Sequence, residues 1–253
     1  MPAAHQPLPD TIARLRAIAT PLPDYRTMAF EVDALDSRLT GGGLRAGALH
    51  EVAPRTCSFA DDAAATLFLA GIAAREARHA GGPVLWVSSR NDLYAPGLAQ
   101  AGLLSADVIH AQPRDDNALL AVVEDAVRDG TPSAVVAEAG KISMVASRRL
   151  QLVAADADLP VLLLRRHWRR DQDPLAEPSA AWTRWRLASA PSARLDVSGV
   201  GRARWAVEVA RQRGGEAFSL IVEGSDETGR LAVPAALGRR AAEAAGTART
   251  AAA

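Results

Sequence analysis

The chain has 253 residues, of which 49% are apolar and 23% charged, and its formal net charge is zero, which is the composition of a soluble globular protein with one main core. It contains neither a continuous apolar run of the roughly 20 residues that a membrane span needs nor a signal-peptide pattern, and its five histidines lack metal-ligand spacing. The single cysteine, Cys57, excludes an internal disulfide and a thiolate zinc site, so we expect a cytoplasmic protein in which Cys57 is a small buried side chain.

The beginning of the chain predicts a short amphipathic helix and a linker. Ile12, Leu15 and Ile18 lie on one stripe of a helix over residues 10–19, and residues 20–24 are punctuated by proline. We therefore assign residues 1–27 to an N-terminal helix and linker.

From residue 48 onward, apolar strands alternate with amphipathic helices. Strands are predicted over 48–53, 83–88, 107–110, 134–137 and 161–164, and helices over 61–79, 95–101, from Asp115 or Asp116 to Gly130, and over 143–155. Continuous apolar strands separated by helices are typical of a parallel sheet that is covered on both faces. The predicted fold class is therefore α/β, and we assign residues 28–165 to this core.

After the core, alternating sequence predicts antiparallel strands. Residues 182–188 and 202–211 alternate polar and apolar side chains, and Gly214-Gly215 predicts a hairpin turn before a strand over 218–222. We assign residues 166–238 to a basic loop and an antiparallel β extension, in which Trp205 is expected in the core and Trp182 is left open. Residues 239–253 are rich in alanine without apolar periodicity, so we expect a disordered tail.

A glycine-rich stretch followed by an apolar strand resembles the segment that enters the nucleotide-binding loop of RecA-type recombinases. Here Gly41-Gly42-Gly43 precedes Leu49-His50-Glu51-Val52, and the recombinases continue with G-x-x-x-x-G-K-[ST], whose backbone N–H groups and lysine hold the phosphates of ATP. Residues 54–63 contain neither glycine nor lysine, and Lys141 is the only lysine of the chain. Asp61 and Asp62 would also repel a phosphate. The sequence therefore predicts an ATPase scaffold without the ATPase chemistry.

Two further positions follow from the same resemblance. Glu138, at the end of the central strand, stands where a magnesium-positioning acid is expected, although a plain surface acid is the alternative. Arg90 stands at or near the place of the glutamate that activates water, and a cation cannot act as a general base. Ser88-Ser89 has no paired histidine or aspartate at a recognisable spacing. We therefore predict a non-catalytic protein that binds no cofactor.

Several motifs follow one another through most of the chain in a specific order. They are the glycine-rich lead-in with Leu49-His50-Glu51-Val52, the strand over 83–88, Thr183-Arg184-Trp185-Arg186, and the segments 199–205 and 211–215. This order resembles the ImuA family, RecA-related accessory proteins of SOS mutagenesis that occur beside the polymerase-like ImuB. The resemblance implies a role in error-prone translesion DNA synthesis through contact with an ImuB-like partner and with RecA. A SulA-like cell-division inhibitor and a residual ATPase with a divergent loop remain the alternatives.

An arginine-rich segment directly after the strand over 161–164 is the strongest candidate for a binding surface. It comprises Arg165, Arg166, Trp168, Arg169 and Arg170, and in RecA the loops after the corresponding strands contact DNA. The further candidates are Arg184, Arg186 and Trp182. Contact with single-stranded DNA, contact with a protein, and a solvated loop with Trp168 folded onto the core are three interpretations.

The distribution of charge agrees with a binding role for the second part of the chain. Residues 1–160 carry 14 basic and 19 acidic side chains, a net −5, whereas residues 161–253 carry 15 and 10, a net +5. Such asymmetry predicts an acidic partner or, alternatively, a solvated face. We expect a chain that ends near residue 164 to lose partner binding. We also expect alanine at positions 165, 166, 169 and 170 to leave folding nearly intact, because exposed charges contribute little stability.

Overall fold

The computed structural model describes residues 25–167, 169–193 and 199–234. Its strands are β1 (Thr27–Met28), β2 (Leu44–Arg45), β3 (Leu49–Pro54), β4 (Val84–Ser88), β5 (Val108–Ala111), β6 (Ala134–Glu138), β7 (Val161–Leu164), β8 (Thr183–Ala190), β9 (Arg204–Gln212) and β10 (Phe218–Glu223). Its helices are α1 (Asp33–Asp36), α2 (Phe59–Ala80), α3 (Ala95–Gln100), α4 (Asp116–Asp129) and α5 (Met144–Ala157), with a 3₁₀ turn at Ser105–Asp107. The helix predicted over 10–19 and the tail predicted over 239–253 lie outside the described residues.

Eight strands form one sheet in the order β10-β9-β8-β3-β7-β6-β4-β5. The strands from β8 to β5 in this order are parallel, and β9 and β10 continue the sheet in antiparallel fashion. The predicted α/β fold with a mostly parallel sheet is confirmed. One detail differs from the prediction, because β8 pairs in parallel with β3, from His50 opposite Thr183 to Pro54 opposite Leu187. The antiparallel part therefore begins only at β9, and strands of the 28–165 and 166–238 segments share one sheet.

Helices cover both faces of the sheet, and successive side chains of a buried strand enter different cores. In β4, Trp86 belongs to the core that includes α2, whereas Leu85 and Val87 belong to the core that includes α4 and α5. This double burial explains why the parallel strands are continuously apolar in sequence. Trp205 is buried in the first core with Phe68 and Trp185, so its predicted core position is confirmed.

Polar side chains and glycine fix the ends of the long helices. Ser58, Asp115 and Ser143 each accept a hydrogen bond from the backbone N–H three residues further on, at the starts of α2, α4 and α5. Gly130, with φ of 75°, ends α4 in the left-handed region that glycine tolerates best. These caps are visible in the sequence, and the helices therefore begin and end within a few residues of the predicted positions.

The glycine-rich stretch forms a turn between α1 and β2. Gly41 and Gly42 have φ angles of 83° and 77°, and a Cβ atom on Gly43 would lie only 2.5 Å from the carbonyl oxygen of Met28. The turn is held from β9, since Gln212 Oε1 accepts from the backbone N–H of Thr40 at 2.9 Å. These glycines are required by the turn and by the close approach of β1 and β2.

Candidate functional site

The segment from β3 to α2 has the connectivity of a nucleotide-binding loop but not its length. Only the four residues 55–58 separate the strand from the helix, whereas the phosphate-binding motif spans eight positions. Arg55 is held against β9, because its Nη2 donates to Glu208 Oε2 at 2.6 Å, and Ser58 caps α2. The short loop leaves no long run of backbone N–H groups to surround a phosphate.

An internal carboxylate occupies the N-terminal end of α2. Asp61 is 6% exposed; its Oδ2 accepts from the backbone N–H and the hydroxyl of Thr56 at 3.0 and 2.6 Å, and its Oδ1 accepts from the backbone N–H of Ser189 at 2.8 Å. A phosphate bound at a helix N-terminus would use donors of the same kind. The carboxylate of Asp61 therefore occupies the place that a phosphate would take, and its negative charge would repel a phosphate.

An internal cation lies next to this carboxylate. Arg166 donates from Nη1 to Asp62 Oδ2 and from Nε to Glu138 Oε2, each at 2.8 Å. Burial alone would lower the pKa of Arg166, but Glu138, Asp62 and Asp92 together raise it above its ordinary value. Glu138 is buried and accepts on its other oxygen from Trp86 Nε1 at 2.8 Å, so the alternative of a surface acid is wrong. The guanidinium of Arg166 stands beside the acid that would otherwise position a metal ion.

We call Asp61, Asp62, Asp92, Glu138, Arg90 and Arg166 together the filled site. Arg90 is exposed and pairs with Asp92 at 2.8 Å, so it is not a general base. Four carboxylates face two guanidinium groups, and the net charge opposes the binding of a nucleotide phosphate. The sequence identified Asp61 only as a charge that repels a phosphate. Its hydrogen bonds within the protein were missed, although the capping serine at position 58 and the threonine at 56 were the available signals.

An apolar cleft of about 300 Å³ opens beside the filled site. Phe59 and Tyr94 stand at the cleft with 94% and 70% of their surfaces exposed, and Leu67 and Leu93 contribute further apolar lining. Large exposed aromatic side chains are typical of interface hot spots. The sequence interpretation missed both aromatics, since it treated Phe59 only as part of a defective loop.

The arginine-rich segment divides into structural and exposed members. Arg165 is 2% exposed, and its Nη1 lies 3.0 Å from Oε1 of the fully buried Glu51. Arg166 is also bound to carboxylates. The premise that the charges at 165, 166, 169 and 170 are all exposed is therefore wrong for Arg165 and Arg166. Arg169 and Arg170 are exposed and remain candidates for contact, whereas Trp168 lies outside the described residues.

The three candidates near β8 are also engaged within the protein. Arg184 Nε donates to Glu51 Oε2 at 2.7 Å, and Arg186 binds Asp173 at 2.6 Å and Glu208 at 3.1 Å. Trp182 is 6% exposed; the guanidinium carbons of Arg45 and Arg213 lie 4.6 and 5.1 Å from its ring centroid. These side chains are held by contacts on and around β8, an interior strand of the sheet, and do not form one open basic patch.

His167 anchors the start of the loop after β7. Its Nδ1 lies 3.0 Å from the carbonyl oxygen of Gln172, and its Nε2 lies 3.1 Å from that of Pro54. Both partners are carbonyl oxygens, so the ring nitrogen that carries the proton donates to one of them. The loop that carries Arg169 and Arg170 is thereby fastened to the end of β3.

Ser88 and Cys57 are the remaining nucleophile candidates of the sequence. Ser88 Oγ lies 3.2 Å from His110 Nε2, a contact that its sequence spacing did not reveal, but the hydroxyl donates to the carbonyl oxygen of Arg90 at 2.9 Å. Cys57 is exposed, so the prediction that it is buried is wrong.

Within 25–167, 169–193 and 199–234, no group of three or more His, Cys, Asp or Glu side chains could hold a metal ion. Across the same residues, no helix has the length and apolar sequence to cross a bilayer.

Comparison with known proteins places these features in a family. No protein-family model matches the chain. Two proteins named "Protein ImuA", from two strains of Caulobacter vibrioides, are each 36% identical over 212 residues, which is 82% of this chain and 86% of theirs. Among solved structures, the RadB recombinase aligns with a TM-score of 0.54 and 16% identity over 81% of this chain and 99% of its own, which supports a RecA-like fold. The chain belongs to the ImuA family.

Proposed function

We propose that the protein is a non-catalytic accessory factor of SOS-induced, error-prone translesion DNA synthesis that acts in the cytoplasm by binding an ImuB-like polymerase-family protein and RecA. Membership of the ImuA family supports the pathway and the partner. The filled site supports the absence of ATP turnover. In this proposal, the RecA-like fold serves as a surface to which other proteins bind.

The proposal rests on two charged groups of the protein. The carboxylate of Asp61 stands where a nucleotide phosphate would bind, and the guanidinium of Arg166 stands beside Glu138, where a metal ion would bind. The Asp61 carboxylate accepts from Thr56 in the loop before α2 and from Ser189 on β8, and Arg166 is bound by Asp62 and Glu138. A polyphosphate would have to displace both groups and would find no lysine there. A RecA-like fold with this arrangement is suited to binding another protein rather than to hydrolysing ATP.

We further propose that the partner contacts the cleft at Phe59 and Tyr94. Both side chains are exposed aromatics beside an apolar depression. The charged groups there are two acids, Asp62 and Asp92, and two arginines, Arg90 and Arg166, which neutralise one another in ion pairs. Such a surface favours an uncharged, apolar segment of a partner. Arg169 and Arg170 supply an exposed basic element for a second contact, with a protein or with single-stranded DNA.

Co-purification of the full chain with its ImuB-like partner tests this proposal. The double variant Phe59→Ser, Tyr94→Ser should weaken the complex at least about tenfold, because exposed aromatic anchors dominate interface energies. Val145→Ser is the matched control, since Val145 is an equally exposed apolar side chain on α5. Failure of the wild-type chain to bind the partner would reject the function, whereas unchanged binding by the aromatic variant would reject only this contact surface.

The exposed arginines are tested with single-stranded DNA. If DNA is the ligand, affinity should fall as salt rises, and Arg169→Ala, Arg170→Ala should give a shallower dependence. Arg114→Ala, which removes an exposed arginine after β5, is the control. The absence of DNA binding by the wild-type chain at low salt would leave a protein as the ligand of these arginines.

A further inference from the structure

A second cavity lies at the opposite end of α2 from the filled site. It has a volume of about 540 Å³ and is lined by side chains of α2, β1 and the segment 228–230, and this size is within the range of roughly 300–1,000 Å³ for small-ligand sites. Asp62 and Arg78 are separated by about 24 Å along the helix, at 1.5 Å per residue. Any ligand of this cavity is therefore independent of the filled site.

The cavity has an excess of positive charge. Arg26 pairs with Glu76 at 2.6 Å, and Arg230 pairs with Glu31 at 3.1 Å. In the part of the chain that the structure describes, Arg75 and Arg78 have no carboxylate within 4 Å. Four guanidinium groups and two carboxylates thus line the cavity, and Asp158, which lies 3.5 Å from Arg26, is outside this lining.

The guanidinium of Arg75 is held in place without being neutralised. Its Nη2 donates to the carbonyl oxygen of Ala29 at 2.5 Å, and its Cζ lies 5.2 Å from the ring centroid of Phe30. Among the residues that the structure describes, its buried Nη1 has no hydrogen-bond acceptor, which is costly for a charged donor. Burial lowers the pKa of Arg75; Glu31 and Asp36 oppose this shift, and Arg230 and Arg78 add to it.

Arg78 is fixed in the same manner by backbone groups. It donates to the carbonyl oxygen of Gly102 at 3.1 Å and to that of Thr228. A cation in the last turn of a helix is also favoured by the helix dipole, which accounts for the position of Arg78. It does not account for Arg75, which lies further inside the helix with an unpaired buried donor.

The backbone at the rim of the cavity is strained. Glu31 adopts φ of 60°, a left-handed conformation that is unfavourable for a residue with a side chain. This conformation carries the carboxylate of Glu31 to Arg230 across the cavity. A pair of this kind gives way readily to a competing anion, since both side chains are exposed.

We propose that this cavity binds a phosphate group, with Arg75 and Arg78 as its donors and Arg230 released from Glu31 to join them. A phosphate offers several acceptor oxygens, and guanidinium groups bind such oxygens in a planar, bidentate manner. The group can belong to a small phosphorylated molecule or to the backbone of a nucleic-acid strand, and the chemistry at the cavity is the same for both.

Calorimetric titration of the full chain with sodium pyrophosphate tests the proposal. The wild type should show saturable binding with one site, and Arg75→Gln should weaken it at least about tenfold, since each charge-assisted contact is strong. Glu31→Gln should tighten binding, because it removes the competing carboxylate, and a purely structural role of these residues would not produce this opposite sign. Arg114→Gln is the control with unchanged affinity, and circular dichroism shows that each variant is folded.

Two results would overturn the proposal: absence of saturable pyrophosphate binding by the wild type, or equal affinity in the wild type and a folded Arg75→Gln variant. If Arg75→Gln does not fold, equal affinities in the wild type and Glu31→Gln would overturn it instead. Competition identifies the source of the group. Displacement of pyrophosphate by oligo(dT) without a terminal phosphate assigns the cavity to a strand, whereas displacement by mononucleotides alone assigns it to a small molecule.

Discussion

At the scale of single residues, arginine has two different roles in this chain. Arg165 and Arg184 hold the buried carboxylate of Glu51 inside the sheet, whereas Arg169 and Arg170 lie on the surface. The sequence alone does not distinguish Arg165 from Arg169 and Arg170, because the three are close neighbours in a single basic stretch. Their burial depends on Glu51, which is more than 100 positions away.

Replacement of Arg165 should therefore destabilise the protein. Arg165→Met leaves Glu51 as a buried carboxylate that keeps Arg184 and Ser179 but loses one charged partner. Breaking a buried pair from one side costs about 3–5 kcal/mol, whereas Arg169→Met should change the free energy of unfolding by no more than about 0.5 kcal/mol. Urea denaturation of both variants checks the difference, and equal stability of the two would contradict the structural role of Arg165.

A buried histidine should make stability depend on pH. His50 Nε2 lies 2.8 Å from the carbonyl oxygen of Arg45, and Nδ1 lies 2.7 Å from Thr183 Oγ1. Burial lowers the pKa of His50 to about 4; the Arg45 carbonyl opposes this shift, and the Arg45 charge adds to it. The unfolded chain, with the ordinary pKa of about 6.5, takes up the proton first as pH falls.

The stability contributed by neutral His50 should be complete above about pH 6.5 and lost as pH falls to about 4, a change on the order of 3 kcal/mol. Denaturation at several pH values in this window measures it, with His50→Gln as the comparison. The variant should show a shallower fall, because its side chain does not titrate. An identical fall in both proteins would assign the dependence to other groups.

At the scale of elements, apolar periodicity and helix caps predict the helices and strands better than they predict how the strands pair. The helices over 116–129 and 144–157 and the buried strands match the sequence interpretation closely, because each is determined by local apolar spacing and by its cap. The parallel pairing of β8 with β3 was not predicted, because a strand with alternating polar and apolar side chains can pair with its neighbour in either direction. The sequence predicted only that the nucleotide-binding residues are missing from this site. It did not predict the groups that replace them, because Arg166 and Ser189 are 104 and 128 positions away from their partners Asp62 and Asp61.

The loop between β3 and α2 should depend on its internal carboxylate. Asp61→Ala leaves the backbone N–H groups of Thr56 and Ser189 without their acceptor, and the expected loss of stability is about 1–3 kcal/mol. Asp125→Ala removes an exposed carboxylate on α4 and should have little effect. Denaturation curves that coincide for the wild type and Asp61→Ala would show that the carboxylate does not hold this loop.

At the scale of the whole molecule, the two predicted segments share one sheet and one core. β8 supplies the neighbour of β3, and Trp185 on β8 packs against Phe30 and Phe68. A chain that ends near residue 164 would therefore expose the edge of β3 and lose part of the core, and it tests folding rather than partner binding. Point substitutions on the surface, at Phe59, Tyr94, Arg169 and Arg170, are the appropriate test of contact.

ATP turnover by the purified full chain should be measured with magnesium, in the presence and absence of single-stranded DNA. A filled site predicts the same residual phosphate release from the wild type and from Glu138→Gln, because neither positions a metal ion. Glu138→Gln keeps an acceptor for Trp86 and is therefore a suitable comparison. Turnover by the wild type that is abolished in a folded Glu138→Gln variant would contradict the account and establish a working nucleotide site.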